Sequence, residues 1–136
     1  MSAMKWISEK AQDDAVLPEE VRKNAEDMGE KIDETVNLAY RKGLWIVFGT
    51  DAGVFPHGLN AREFEYMVNA GMLSKDVIKS ATIDAARLLG EEERLGSLEA
   101  GKIADIVAVK GNPLEDVRLL QDVSFVMKDG VVYKDE

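Results

Sequence analysis

The sequence predicts an α/β fold: helices flanking one buried strand, followed by a β tail. Three observations predict it. A short apolar run at residues 44–48, Leu-Trp-Ile-Val-Phe, lies between Gly43 and Gly49. On both sides of it, apolar residues recur at helical spacing. After Gly90 the pattern changes to short apolar runs separated by turn signals, ending at Asp129-Gly130.

The elements follow in order. The first thirty residues are polar and charged, and Pro18 with Glu19 and Glu20 suits a helix start, since proline and acids both favour the first turn. That helix would carry Val21, Ala25 and Met28 on one side. A second helical pattern places Ile32, Val36, Ala39 and Tyr40 on one face. Arg41, Lys42 and Gly43 are its expected C-terminal punctuation. The run 44–48 is β-branched and aromatic, so it reads as a strand buried on both faces. Residues 52–60 read as a loop. Residues 61–70 read as a helix with Phe64, Met67 and Val68 inward and Gly71 as cap. Ser74 reads as the N-cap of a helix carrying Val77, Ile78 and Ala81. Thr82 or Asp84 restarts a helix that ends at Gly90. Residues 103–109 have the apolar content of a strand. Lys110-Gly111-Asn112-Pro113 is a turn, and residues 123–128 and 131–134 flank the hairpin signal.

Composition bounds the function. The chain has 136 residues and 46% hydrophobic content, enough for one core and well short of the roughly 250 residues of a full eight-stranded α/β barrel. There is no Cys, which excludes disulfides, thiol catalysis and Cys-zinc sites, and fits a reducing compartment. The start has no apolar stretch of the kind a secretory signal needs, and the expected location is cytoplasmic. A formal net charge of -9 without a basic face argues against nucleic acid and against an anionic membrane as partners. No apolar stretch approaches a membrane span of about 20 residues.

The richest stretch is Gly49-Thr50-Asp51-Ala52-Gly53, where an expected strand ends at a carboxylate and turns on small residues. In parallel α/β sheets and barrels, catalytic groups collect at the carboxyl ends of strands. Asp51 is therefore a candidate metal ligand and general base, set against a plain turn or capping acid. His57, the one histidine of the chain, follows in the same loop. Its imidazole suits contact with a carboxylate or a developing oxyanion, set against simple exposure. Gly96 to Lys102 has the G-x4-G-K spacing of a phosphate loop but lacks the following Ser or Thr. It also stands between helix and strand in the wrong order, so a turn pair is the better reading. Arg62, Glu63 and Glu65 read as a solvated helix start, and Met67, Met72 and Met127 as core filler.

Three blocks together resemble the carboxyl-terminal part of the metal-dependent amidohydrolase superfamily. The first is Gly49-Thr50-Asp51-Ala52-Gly53 with His57-Gly58. The second is Ala81-Thr82-Ile83-Asp84-Ala85-Ala86-Arg87-Leu88-Leu89-Gly90. The third runs from Leu95 through Gly96, Gly101, Lys102, Asp105 and Val107 to Gly111-Asn112-Pro113-Leu114 and Lys128-Asp129-Gly130. Within that superfamily, Asn60, Glu63 and Gly71-Met72 after the first block resemble the imidazolonepropionase-related branch with its Xaa-Pro dipeptidases (prolidases). The resemblance implies a partial fold. Residues 1–94 would be the last strand and helices of a (β/α)8 TIM barrel, and 95–136 the C-terminal strands of a small β-sandwich domain. It implies that Asp51 binds a divalent metal, zinc first, and activates the attacking hydroxide, while His57 faces the substrate.

The family's His-x-His pair, its bridging lysine or glutamate and its two later histidines have no counterpart here. The expectation is therefore the last third of a metallo-hydrolase that cleaves C–N bonds in small amides or dipeptides, inactive as an isolated chain. Unpaired strand edges lead to an expected homo-oligomer. Two other readings compete: a non-catalytic α+β interaction module, and an acidic adaptor using Glu91, Glu92 and Glu93.

Overall fold

The computed structural model describes residues 2–13, 18–53 and 55–136. Its elements are α1 (Ser2–Asp13), α2 (Glu19–Arg41), α3 (Arg62–Asn69), α4 (Ser74–Ser80), α5 (Ile83–Leu89), β1 (Ile106–Val109), a 3-10 turn (Val117–Gln121), β2 (Val123–Lys128) and β3 (Val131–Asp135). Helices followed by a β tail are as the sequence predicts, without the strand expected at residues 44–48.

The helices before residue 44 depart from expectation in where they begin and end. Helix α1 has no counterpart in the sequence reading, because its polar residues carry little apolar periodicity. The two expected patterns before residue 44 form the single helix α2, entered at Pro18 and closed where the Gly43 N–H donates to the Tyr40 carbonyl at 2.9 Å. Met28 on α2 is exposed rather than inward, and the side chains of Val21 and Ala25 lie outside those described. Lys5 of α1 pairs with Asp33 of α2, which joins the two helices.

The core gathers where the patterning placed it. Met67, Met72 and Val77 are buried, and Val36, Tyr40, Ile46, Phe48, Phe64 and Val68 pack around them. Two polar links hold α2 across this cluster. Asn37 Nδ2 donates to the Ala70 carbonyl at 2.8 Å, and Tyr40 Oη donates to Asp76 Oδ2 at 2.6 Å. Helix α4 begins at Ser74 with Leu73 as its N-cap and no side-chain cap bond, so Ser74 is not the capping residue the sequence suggested.

The segment 44–48 needs correction. Among the described residues it pairs with no strand. Its inner side is covered, since Ile46 and Phe48 alternate into the core. Its first two residues are open: Leu44 is 61% and Trp45 57% exposed. Burial on both faces requires neighbouring strands and a second layer, which the described residues do not place beside it. Its tie to the helices is the Phe48 N–H, which donates to the Ser80 carbonyl at 3.1 Å.

The β tail is a three-stranded antiparallel meander in the order β1-β2-β3. Asp129 and Gly130 both hold positive φ, at 50° and 76°, the signature of a type I′ hairpin turn. Asp105 fastens the turn from β1's side by accepting the Asp129 N–H at 2.8 Å and pairing with Lys128. Gly96 brings the tail against α5, with φ at +89° and no room for a Cβ beside Ile83 and Ala86. No helix among the described residues is long and apolar enough to cross a membrane.

Candidate functional site

Asp51 and His57 fall in one loop between segment 44–48 and α3. The loop is anchored at its start by Phe48, whose ring lies 4.5 Å from that of Phe64 on α3. Asp51 itself adopts φ 51°, a left-handed conformation that costs most residues roughly 1–2 kcal/mol and that Asp tolerates better than most. Both side chains are exposed, and neither has a hydrogen bond or ion pair among the described residues. The structure thus brings the two predicted residues onto one exposed loop and does not join them directly.

What holds the loop is Asn60. Its Nδ2 donates to Thr50 Oγ1 at 3.1 Å, and its Oδ1 accepts the Gly58 N–H at 3.2 Å. Sequence reasoning used Asn60 only as a branch marker. The available signal was an Asn between Gly58 and a helix start, a pattern that favours side-chain-to-backbone turns.

The charged start of α3 is not the solvated face the sequence suggested. Glu63 is 2% exposed, and Arg62 Nη2 donates to Glu9 Oε2 at 2.8 Å while its guanidinium lies over the Tyr66 ring. Tyr66 Oη donates to Glu9 Oε1 at 2.8 Å. Burial, reinforced by this bond to a carboxylate, pushes the Tyr66 phenol well above the ordinary tyrosine range. Helix α1 docks here through Glu9, which takes up Arg62 and Tyr66. The α3 surface further along is also engaged, with Gln121 Nε2 donating to Glu65 Oε2 at 3.0 Å.

Two other sequence features are structural. Lys102 Nζ donates to the Glu92 carbonyl and to Ser97 Oγ, each at 2.6 Å, and its side chain is 13% exposed. A lysine held by internal acceptors does not reach a phosphate, so the G-x4-G-K spacing is a turn clamp. Glu91 pairs with Arg94 at 2.7 Å, which leaves it less available as an adaptor surface. A cavity of about 430 Å3 between α4 and the β tail is lined by Ile78, Ile103, Val107 and Leu120 among others and contains neither Asp51 nor His57.

The metal expectation can be tested on the donor set. Among the described residues, no three His, Cys, Asp or Glu side chains converge on a point that would hold an ion. Asp51 offers one carboxylate and His57 one imidazole, which does not complete a catalytic metal site; such sites commonly take three protein ligands. The residues present do not fit a metal centre by themselves.

Helices packed against segment 44–48, a carboxylate just past that segment's end and a β meander returning through Gly96 make up a partial α/β scaffold. The chain belongs to the amidohydrolase family, whose model matches residues 3–134. It is similar to a solved Xaa-Pro dipeptidase with methionine bound in its active site, at 49% identity and a TM-score of 0.84. That match covers 98% of this chain and 33% of the dipeptidase. The prolidase-like resemblance and the barrel-derived partial fold both hold. Ochratoxinase from Aspergillus niger is 37% identical over 101 residues, 71% of this chain and 21% of its own length. A 5-methylthioadenosine/S-adenosylhomocysteine deaminase from Symbiobacterium thermophilum is 33% identical over 119 residues, 70% of this chain and 27% of its own. The chain therefore spans between about a fifth and a third of the proteins it matches.

Proposed function

We propose that this chain is the carboxyl-terminal part of a metal-dependent amidohydrolase that hydrolyses C–N bonds in small amides or dipeptides, with Xaa-Pro dipeptides and acyl-prolines as the substrate class. The observation that carries the reading is the 49% identity to a Xaa-Pro dipeptidase sustained over 98% of this chain. Residues 1–94 are assigned to the barrel and 95–136 to the β-sandwich domain.

In this reading Asp51 supplies one ligand to a divalent ion, zinc first, whose other ligands lie on sequence outside these residues. When bound, such an ion would supply Lewis-acid chemistry at the scissile carbonyl. Asp51 accepts a proton from the attacking water as the new C–O bond forms. It then returns that proton to the departing nitrogen as the C–N bond breaks, so the proton count balances. A carboxylate suits both roles because it is acceptor-only when ionised and a donor once protonated. His57 donates through its imidazole N–H to the substrate's carboxylate or to the developing oxyanion. The exposed face at Leu44 and Trp45 and the free edge of β3 are where further protein docks, whether the rest of the barrel or a second copy.

The test is turnover of a Xaa-Pro dipeptide by the full-length enzyme and its Asp51→Asn variant. Loss of turnover in the variant supports the role; near-normal turnover refutes it. A second reading, in which the whole enzyme is a deaminase, draws on the 33% identity to the Symbiobacterium protein. Turnover of methylthioadenosine in place of the dipeptide would favour it.

A further inference from the structure

We propose that Asn60 is a positioning residue for Asp51 and His57, its side-chain amide bracing both ends of the loop that carries them. The inference rests on the functional reading above and adds how the loop is held.

Thr50 immediately precedes Asp51, and Gly58 immediately follows His57. Asn60 Nδ2 donates to Thr50 Oγ1 at 3.1 Å, and Asn60 Oδ1 accepts the Gly58 N–H at 3.2 Å. The Gly58 N–H can only donate, so it fixes which end of the amide faces it and leaves Nδ2 aimed at Thr50. One planar group with a donor on one side and an acceptor on the other closes the loop across both candidate residues.

The brace is mounted on the core. The Asn60 carbonyl accepts the Glu63 N–H at 3.1 Å where α3 begins. The same helix buries Met67 and sets Phe64 against Phe48, the residue that leads into the loop. Helix α3 thus fixes the entry to the loop through Phe64 and its exit through Asn60. Asp51 sits in a left-handed conformation in between, a state that persists only where its surroundings determine it.

The lever is geometric. Two neutral hydrogen bonds contribute little alone, but a reacting group displaced by about 1 Å can lose on the order of 100-fold in rate. Outer partners of site residues usually matter by about 10–100-fold.

The test compares Asn60→Ala, Thr50→Val, their double variant and Asp51→Asn in the full-length enzyme. Hydrogen exchange of the Gly58 amide is followed alongside in this chain. Asn60→Ala is expected to lower kcat by about 10–100-fold with KM little changed, and to speed Gly58 exchange. Thr50→Val is expected to lower kcat less, and the double variant to be no worse than Asn60→Ala, because both act through one brace. Asn60→Asp is expected to recover most of the loss, since its carboxylate accepts from both the Gly58 N–H and the Thr50 hydroxyl. Full kcat in Asn60→Ala, with Asp51→Asn inactive, overturns the brace and leaves the functional reading standing. Retained turnover in Asp51→Asn overturns that reading and this proposal with it. Should Asn60→Ala fail to fold, Thr50→Val decides, because it leaves Asn60 bound to Gly58 and to α3; unchanged kcat there overturns the brace.

Discussion

Replacing Gly96 with alanine tests how the β tail is joined to the helices. Gly96 has φ +89°, and an added Cβ would lie 2.8 Å from the Ile83 Cα, 2.8 Å from the Ala86 Cβ and 3.0 Å from the Thr82 carbonyl oxygen. Two of those three neighbours are backbone, so rotating a side chain does not relieve the overlap. Gly130 is the control: its φ is +76°, and nothing lies within 4 Å of its Cβ position. Each substitution costs roughly 1–2 kcal/mol for placing a Cβ in the left-handed region. Gly96→Ala adds about 1–3 kcal/mol for overpacking against α5. The Gly96→Ala variant should therefore lose about 2–5 kcal/mol in total and the Gly130→Ala variant about 1–2. At roughly 3–5 °C per kcal/mol for a chain of this size, the difference of about 1–3 kcal/mol separates their thermal midpoints by about 3–15 °C. Urea titrations of both variants, with unchanged slopes, check the same difference at room temperature. Equal midpoints would refute the close approach and detach the β tail from α5.

Two further predictions follow from buried polar groups. Lys102→Met removes both donations from the Lys102 ammonium and leaves the Glu92 carbonyl and Ser97 without that partner; the expected loss is about 1–3 kcal/mol in a urea titration. The parent chain should show no nucleotide binding by calorimetry, and saturable binding lost in Lys102→Met would revive the phosphate-loop reading. For Tyr66 the folded pKa lies above the unfolded value of about 10. Above that pH the unfolded chain releases a proton that the folded chain retains, so stability is full below it and falls as pH rises toward the folded pKa. Tyr66→Phe should flatten that alkaline decline in urea midpoints, and an unchanged decline would mean that Tyr66 ionises normally.

The elements whose residues answer to one face are readable in advance. Helices α3, α4 and α5 carry their apolar residues at helical spacing and are capped at Ala70, Ala81 and Gly90; the cap of α3 falls one residue before the expected Gly71. The hairpin follows from Asp129-Gly130 alone, because few residues accept two successive positive φ values. Segment 44–48 departs from expectation because a continuous apolar run records what a complete barrel would bury, not what 136 residues cover. Helix α1 is silent in the patterning because its ties to α2 and α3 include Lys5 with Asp33 and Glu9 with Arg62 and Tyr66, polar contacts that no apolar period records. The same polar docking explains why the α3 start reads as a solvated face. At the site, Asp51 and His57 stand out by residue type and position. The Asn60 brace depends on loop geometry that no periodicity encodes.

The central claim is that Asp51 belongs to a metal site completed by other parts of a larger hydrolase. Elemental analysis of zinc and manganese, made on the full-length enzyme, its Asp51→Asn variant and this 136-residue chain, tests it most directly. The account predicts stoichiometric metal in the full-length enzyme, reduced occupancy in the variant and no stoichiometric metal in the isolated chain. Stoichiometric metal in the isolated chain, or undiminished occupancy in the Asp51→Asn enzyme, would contradict it.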